Sequence, residues 1–397
     1  MKVLLIVLVS FCYVNAETKC IIDLDCEECL PEHMPLIPSH PGGGRLSEGE
    51  EVWLSCRQGR FLLLPHVGTV RARCQAGQLR LPDGSLRRLL ELGCQESVFE
   101  DVLHHVESCP PPFAGRVYQH SGGGKHLATL CFDPDRAVPL RLRARPAGLH
   151  MAPHHHSASP LSVLGNFNHM FDTKTRSDAE RLFSDDVRMN RRLRESLKHE
   201  EQCFAGQTLT SARLLPPTYF LDQDRPVANF VSNKVPAWTS VAEGNWKNLQ
   251  KDVSAILMRN NSNVEVFAGT HGVATSSSRS QELFLKPERR FPVPRYLWTV
   301  VLDTHTHKAI ALVTLNDPFV PVSRIKESVF CESLCGQVSW LKELHTNRNY
   351  ETPLYGLVFC CSVTNFTAAV PEMEAAQLRH VSGAADGLLL NLDSTDY

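Results

Sequence analysis

Between Ser211 and Ser254, Arg213 offers a guanidinium that can hold a phosphate, and Asn233 and Gln250 are neutral amides. A guanidinium stays protonated at neutral pH and offers a planar fork of donors to phosphate oxygens, while an amide is neutral and takes no proton from water. Such a set can hold an anion but supplies no base. A second cationic group, Lys286, Arg289, Arg290 and Arg295, has few acids nearby in sequence and reads either as a phosphate-contacting patch or as an ordinary loop. Arg188, Arg191, Arg192, Arg194 and Lys198 alternate with Asp185, Asp186, Glu195, Glu200 and Glu201, the pattern of a solvated helix face laced with ion pairs.

Other chemistries find less support. His154, His155 and His156 are adjacent, which defines no tetrahedral ligand set, so an exposed polar loop is favoured over a transition-metal site. Cys331, Cys335, Cys360 and Cys361 match either a four-thiolate zinc site or disulfides, and the rest of the chain favours disulfides. Gly-x-Ser-x-Gly, His-Glu-x-x-His and Gly-Lys-Ser/Thr signatures are absent from the sequence. The Gly122-Gly123-Gly124-Lys125 run sits among cysteines and reads as a turn.

The elements that must position these residues begin after a secretory leader. Lys2 followed by an apolar run from Val3 to Val14 and small residues at Asn15-Ala16 is the pattern of a signal peptide over residues 1–16, too short to span a bilayer. Export implies an oxidising compartment, hence disulfides among the 13 cysteines from Cys20 to Cys361. That count is odd, and Cys203, isolated in sequence, is the candidate for the remaining thiol. Asn260 and Asn365 head glycosylation sequons that suit the same secreted, extracellular route. Formal net charge is −2 over 397 residues, so any nucleic-acid site must be a local patch.

Residues 17–144 are cysteine-dense with short apolar runs at 52–54, 61–64 and 69–72, the texture of a small disulfide-rich β module. Residues 145–164, rich in Pro, Ser and His, read as a linker. Residues 165–397 alternate helical and strand periodicity. Ser177 and Glu180 suggest a capping box before a helix carrying Leu182, Met189, Leu193 and Leu197; Trp246, Leu249, Val253, Ile256 and Leu257 form the apolar stripe of a second helix. Runs at 264–268, 297–302 and 308–315 predict buried strands, and the class is α+β, an antiparallel sheet flanked by helices.

An ordered set of short motifs runs through this second region: Leu215-Pro216-Pro217, Phe220, Asn233 with Pro236, Gly244-Asn245-Trp246, Asn316-Asp317-Pro318, then Cys331, Cys335, Trp340, Gly356, Cys360 and Cys361. In these residues the chain resembles the DNA/RNA non-specific endonuclease family, the endonuclease G-like His-Me finger or ββα-metal nucleases. The resemblance covers roughly residues 165–372 and, loosely, the N-terminal module. It implies a strand, loop and helix that hold one Mg²⁺ beside a general-base His, the base deprotonating water and the cation neutralising charge on the phosphate.

The resemblance also implies where those groups fall, and here the chain departs from the family. The base position falls on Arg213, three residues before Pro216; the metal-ligand Asn falls on Ala242; the helix Glu falls on Gln250 and a following Arg on Ser254. Only Asn233, a supporting position, is kept. A positioned base contributes about 10²- to 10⁴-fold and metal polarisation several kcal/mol more. Their joint loss predicts a catalytically inactive pseudonuclease with no cofactor, Mg²⁺ being needed only for residual activity. Arg213, with Arg289, Arg290 and Arg295, then becomes a candidate for binding nucleic acid or another polyanion without metal; the alternative for Arg213 is a solvated or ion-paired side chain. An active metal-dependent nuclease is the competing expectation, with His199, His271 and Asp222 as the replacement candidates. A structural or protein-interaction role is a third.

Overall fold

β-Branched and aromatic residues crowd three long segments, Val264–Val273, Pro294–Asp303 and Lys308–Leu315, and all three become central strands of one antiparallel sheet. The computed structural model describes residues 19–22, 29–31, 33–35, 37, 44–56, 59–95, 103–109, 113, 116–122, 125–144, 178–179, 182–183, 185–197, 206–220, 228, 230–259, 263–276, 281–346, 350–373, 378, 381 and 387–391. They fall into two units, Met1–Val98 and Phe99–Tyr397.

The first unit holds β1 (Cys20–Ile22) paired with β2 (Gly44–Leu46), and a four-stranded antiparallel sheet of β3 (Glu51–Ser55), β4 (Thr69–Gln75), β5 (Gln78–Arg80) and β6 (Leu86–Arg87). Strict alternation sends Val52, Leu54, Val70, Ala72 and Leu79 inward. Disulfides Cys20–Cys74 and Cys56–Cys94 supply the stability that so small a core cannot. The expected strand at 61–64 is absent: Phe61 is buried and bridges Cys94, but Leu62 and Leu63 are exposed.

In the second unit the sheet has eight strands: β7 (Leu103–Ser108), β8 (Arg116–Gly122), β9 (Lys125–Asp133), β10 (Val138–Ala144), β13 (Val264–Val273), β16 (Pro294–Asp303), β17 (Lys308–Leu315) and β18 (Val358–Cys361). They lie in the order β18-β17-β16-β13-β10-β9-β8-β7, every neighbour antiparallel. Residues 103–144 were expected to close the N-terminal module at 144; their strands instead continue the main sheet through the β10–β13 ladder, and the chain divides after Val98. Cys109–Cys131 therefore fastens two segments of the second unit.

Both faces of the sheet are covered at β13, β16 and β17, so these strands are buried almost continuously rather than alternately. Val266, Ala268, Leu297, Val301, Ile310, Leu312 and Cys360 point into one core. Phe267, Trp298, Val300, Ala311, Val313, Phe359 and Cys361 point into the other. Gly269 is required here, because a Cβ would stand 2.3 Å from the Trp298 ring and from Leu140 O.

The first core is roofed by a hairpin and helices: α1 (Asp186–Leu197), β11 (Leu209–Arg213), β12 (Lys234–Trp238), a single turn α2 (Thr239–Ala242) and α3 (Asn245–Arg259). All five stripe residues of α3 are buried, as are Leu182, Met189, Leu193 and Leu197. The hairpin β14 (Phe284–Lys286) and β15 (Arg290–Pro292) packs beside it. Short helices α4 (Ile325–Ser328), α5 (Lys342–Thr346) and α6 (Val363–Ala369) complete the C-terminal part. Disulfides Cys331–Cys361 and Cys335–Cys360 settle the four-cysteine alternative. Among the described residues no helix is long and apolar enough to cross a membrane.

Candidate functional site

The site is built on the succession β11, β12, α3. Arg213 ends β11 and stands directly opposite Lys234, the first residue of β12. Directly opposed residues of an antiparallel pair project from the same face, so two cations share one side of this hairpin. Both are half-buried.

Asn233 fixes the crossing between the strands. Its side chain is 2% exposed. Leu215 N–H donates to Asn233 Oδ1 at 2.8 Å, and Asn233 Nδ2 donates to Leu215 O at 2.6 Å and Ala228 O at 2.9 Å. An amide alone can serve both a backbone donor and backbone acceptors in this way. Asn316 does the same at the far end: Trp238 N–H donates to its Oδ1 at 3.0 Å, and its Nδ2 donates to Pro294 O at 2.8 Å, tying β12 to β16.

The α2–α3 corner needs Gly244, whose Cβ would lie 2.2 Å from Ser240 O and 2.8 Å from Tyr355 O. Asn245 then anchors α3 by donating to Gly356 O at 2.9 Å. The next residue, Trp246, and Gln250 one turn further along both donate to the Arg213 carbonyl, through Nε1 at 3.0 Å and Nε2 at 2.8 Å. Ser254 donates to Gln250 O at 2.7 Å and meets Thr218 Oγ1 at 2.6 Å. Gln250 and Ser254 are thus occupied in docking α3 against the end of β11.

Gln250 in this place cannot be exchanged for a carboxylate without loss. A Glu would turn an acceptor toward the Arg213 carbonyl, so the contact depends on an amide donor. Ala242, at the end of α2, is 8% exposed and presents only a methyl group. Hard cations bind through several oxygens, usually including anionic ones. An alanine methyl and a neutral amide whose nitrogen is already engaged do not fit Mg²⁺, and among the described residues no three His, Cys, Asp or Glu gather into a metal-binding group.

Asp252, a buried acid of α3 that the sequence pattern does not single out, accepts from Glu343 N–H at 2.8 Å and Leu344 N–H at 2.9 Å to cap α5. Burial raises its carboxyl above the usual range, and the two N–H contacts pull it partly back. Tyr219 is fully buried and its phenol is raised by the same desolvation, with Asp252 adding to it.

The second cationic group is not gathered at this site. Lys286 pairs with Asp178 at 2.6 Å. Arg289 is exposed on the β14–β15 turn, paired with Glu282 and lying 5.2 Å over Phe284. Arg290 donates to Asp135 O and Pro134 O, and Arg295 lies 5.5 Å over Tyr296. Among the replacement candidates, His271 stacks on Tyr296 and bonds Glu372 at 2.8 Å, on the sheet face opposite to α3. His199, Asp222, Cys203, Asn260, His154, His155 and His156 lie outside the described residues, as do Ser177 and Glu180. Asn365 is exposed in the first turn of α6.

Residues 217–366 match the model of the DNA/RNA non-specific endonuclease family. The chain is 23% identical over 195 residues to "Salivary protein Tsal1" of Glossina morsitans morsitans, covering 44% of this chain and 47% of that one. It is 23% identical over 297 residues to "Salivary endonuclease" of Lutzomyia longipalpis, covering 70% of this chain and 66% of that one. The chain thus spans about half and about two thirds of the lengths of these relatives. The crystal structure of an EndoG/EndoGI complex aligns with 53% of this chain and 82% of its own, at 14% identity and a TM-score of 0.31.

Proposed function

Taking the chain as a member of the DNA/RNA non-specific endonuclease family through residues 217–366, we propose that it is an exported, catalytically inactive member that binds nucleic acid or another polyanion on the retired site. The observation that carries this reading is the facing pair Arg213 and Lys234 beside an amide, where catalysis would need a base and a carboxylate. An arginine at the base position takes up no proton near neutral pH. A methyl group at Ala242 offers no ligand atom. What survives is a cationic hairpin on a rigid frame, and guanidinium contacts to phosphate need no metal.

Export is supported by the leader pattern of residues 1–16, by the five disulfides described, by the exposed sequon residue Asn365, and by the salivary relatives. The test is a cleavage and mobility-shift series on the secreted full chain, with duplex DNA and RNA in Mg²⁺, Mn²⁺ or chelator. The expected outcome is a shift without cleavage that survives chelator, weakens as salt rises, and loosens by about tenfold in Arg213→Ala, a charged contact's usual worth. Metal-dependent cleavage that co-purifies with the protein would overturn it.

A further inference from the structure

Trp53 is 52% exposed, while Trp238, Trp246, Trp298 and Trp340 are at most 6% exposed. It lies midway along β3, the edge strand of the sheet, on the outward face that β3 shares with β4 and β5. The ladder sets Trp53 opposite Arg71, Glu51 opposite Arg73, and Arg73 opposite Arg80. Strand parity puts all five side chains on one face, and the buried partners Val52, Leu54, Ala72, Cys74 and Leu79 occupy the other.

The charge on this face is unbalanced. Glu51 is shared by Arg71 and Arg73, and Arg80 donates to the neutral Gln75 side chain at 3.2 Å. Among the described residues of this face, three guanidiniums therefore answer to one carboxylate. The Arg71 guanidinium lies over the Trp53 ring, 5.8 Å from its centroid, which holds a cation against one side of an aromatic platform. Burying Trp53 would normally be favourable in so small a module, and the sheet instead presents it to solvent among cations.

We propose that this sheet face of the N-terminal unit is a binding surface for single-stranded nucleic acid, separate from the Arg213 hairpin. An unpaired base stacks on Trp53, and Arg71, Arg73 and Arg80 take the flanking phosphates. A duplex keeps its bases stacked inside and cannot use the ring. A strand whose bases are free can use both features, and aromatic stacking tolerates any base sequence. Charge complementarity selects the anion, and the exposed indole selects a base-bearing one.

The indole is its own reporter, because the other four tryptophans are buried. The probe is a single-stranded oligo-dT of about 20 nucleotides, titrated at low salt into the full chain while tryptophan emission and its quenching by acrylamide are followed. Oligo-dT is expected to quench Trp53 and shield it from acrylamide. Trp53→Ala is expected to abolish that signal and weaken oligo-dT binding by roughly 5- to 100-fold, stacking's usual range; Trp53→Phe is expected to restore most of the affinity. Arg71→Ala with Arg73→Ala is expected to flatten the salt dependence. Arg213→Ala is expected to leave the Trp53 signal intact, which separates this surface from the hairpin site. Equal quenching by heparin, which has charge but no bases, would overturn the proposal. So would oligo-dT affinity unchanged in Trp53→Ala, or equal Trp53 shielding by a duplex.

Discussion

Gln250 shows how much one atom type decides in docking α3. Its Nε2 donates to the Arg213 carbonyl at 2.8 Å, and a glutamate differs only in replacing that donor with an acceptor. Gln250→Glu is therefore expected to destabilise the fold by about 1–3 kcal/mol, the range for a hydrogen bond replaced by an unsatisfied polar contact. The urea midpoint checks this, and a variant as stable as the parent would show that the amide is not needed. The side chains at 213, 242 and 250 could be weighed from the sequence alone, because the proposal rests on their chemical type. Lys234 facing Arg213 could not, since it depends on the ladder register, and neither could the capping role of Asp252, whose partners lie 91 and 92 positions away.

At the scale of elements, the hairpin and α3 hold their places through buried amides more than through charge. Asn233→Ala would strand the Leu215 amide and two carbonyls inside the crossing of β11 and β12. A loss of about 3 kcal/mol is expected, since each buried unsatisfied group costs roughly 1–3 kcal/mol; hydrogen exchange should then rise at Leu215 and the hairpin before it rises in β16. Uniform exchange throughout the unit would argue against a local staple. The α3 stripe and the strands at 264–268, 297–302 and 308–315 were readable because periodicity is local. The membership of β7 to β10 was not. A strand's pattern says that it pairs, and only the completed ladder says with which sheet, so 103–144 read with the cysteines before them.

For the molecule as a whole, buried acids set one component of the pH response. Asp317 follows the buried Asn316 and is raised above 3.8 chiefly by burial, with Phe319 N–H and Arg295 opposing. A carboxyl raised in the folded state binds its proton more tightly there than when unfolded. Its contribution is thus most favourable below about 3.8 and is lost as pH rises through the folded value. The parent is expected to lose ground against Asp317→Asn as pH climbs above that point, read from paired urea midpoints; a parent that gains ground would mean the carboxylate is stabilised instead. The α+β class follows from composition and pattern taken together, whereas the boundary after Val98 needed the sheet itself.

Cys360 and Cys361 are neighbours on β18, and neighbours on a strand leave by opposite faces. Their partners observe the same parity: Cys335 lies in the core roofed by α3, and Cys331 packs against the opposite core. The bond pattern is consequently a written record of strand phase. A one-residue slip of β18 would present each sulfur to the other's partner, and oxidation at that moment would lock the chain inside out along its edge. The native wiring fits a single register of β18, so the two bonds and the alignment of the sheet specify one another through two adjacent letters of the sequence.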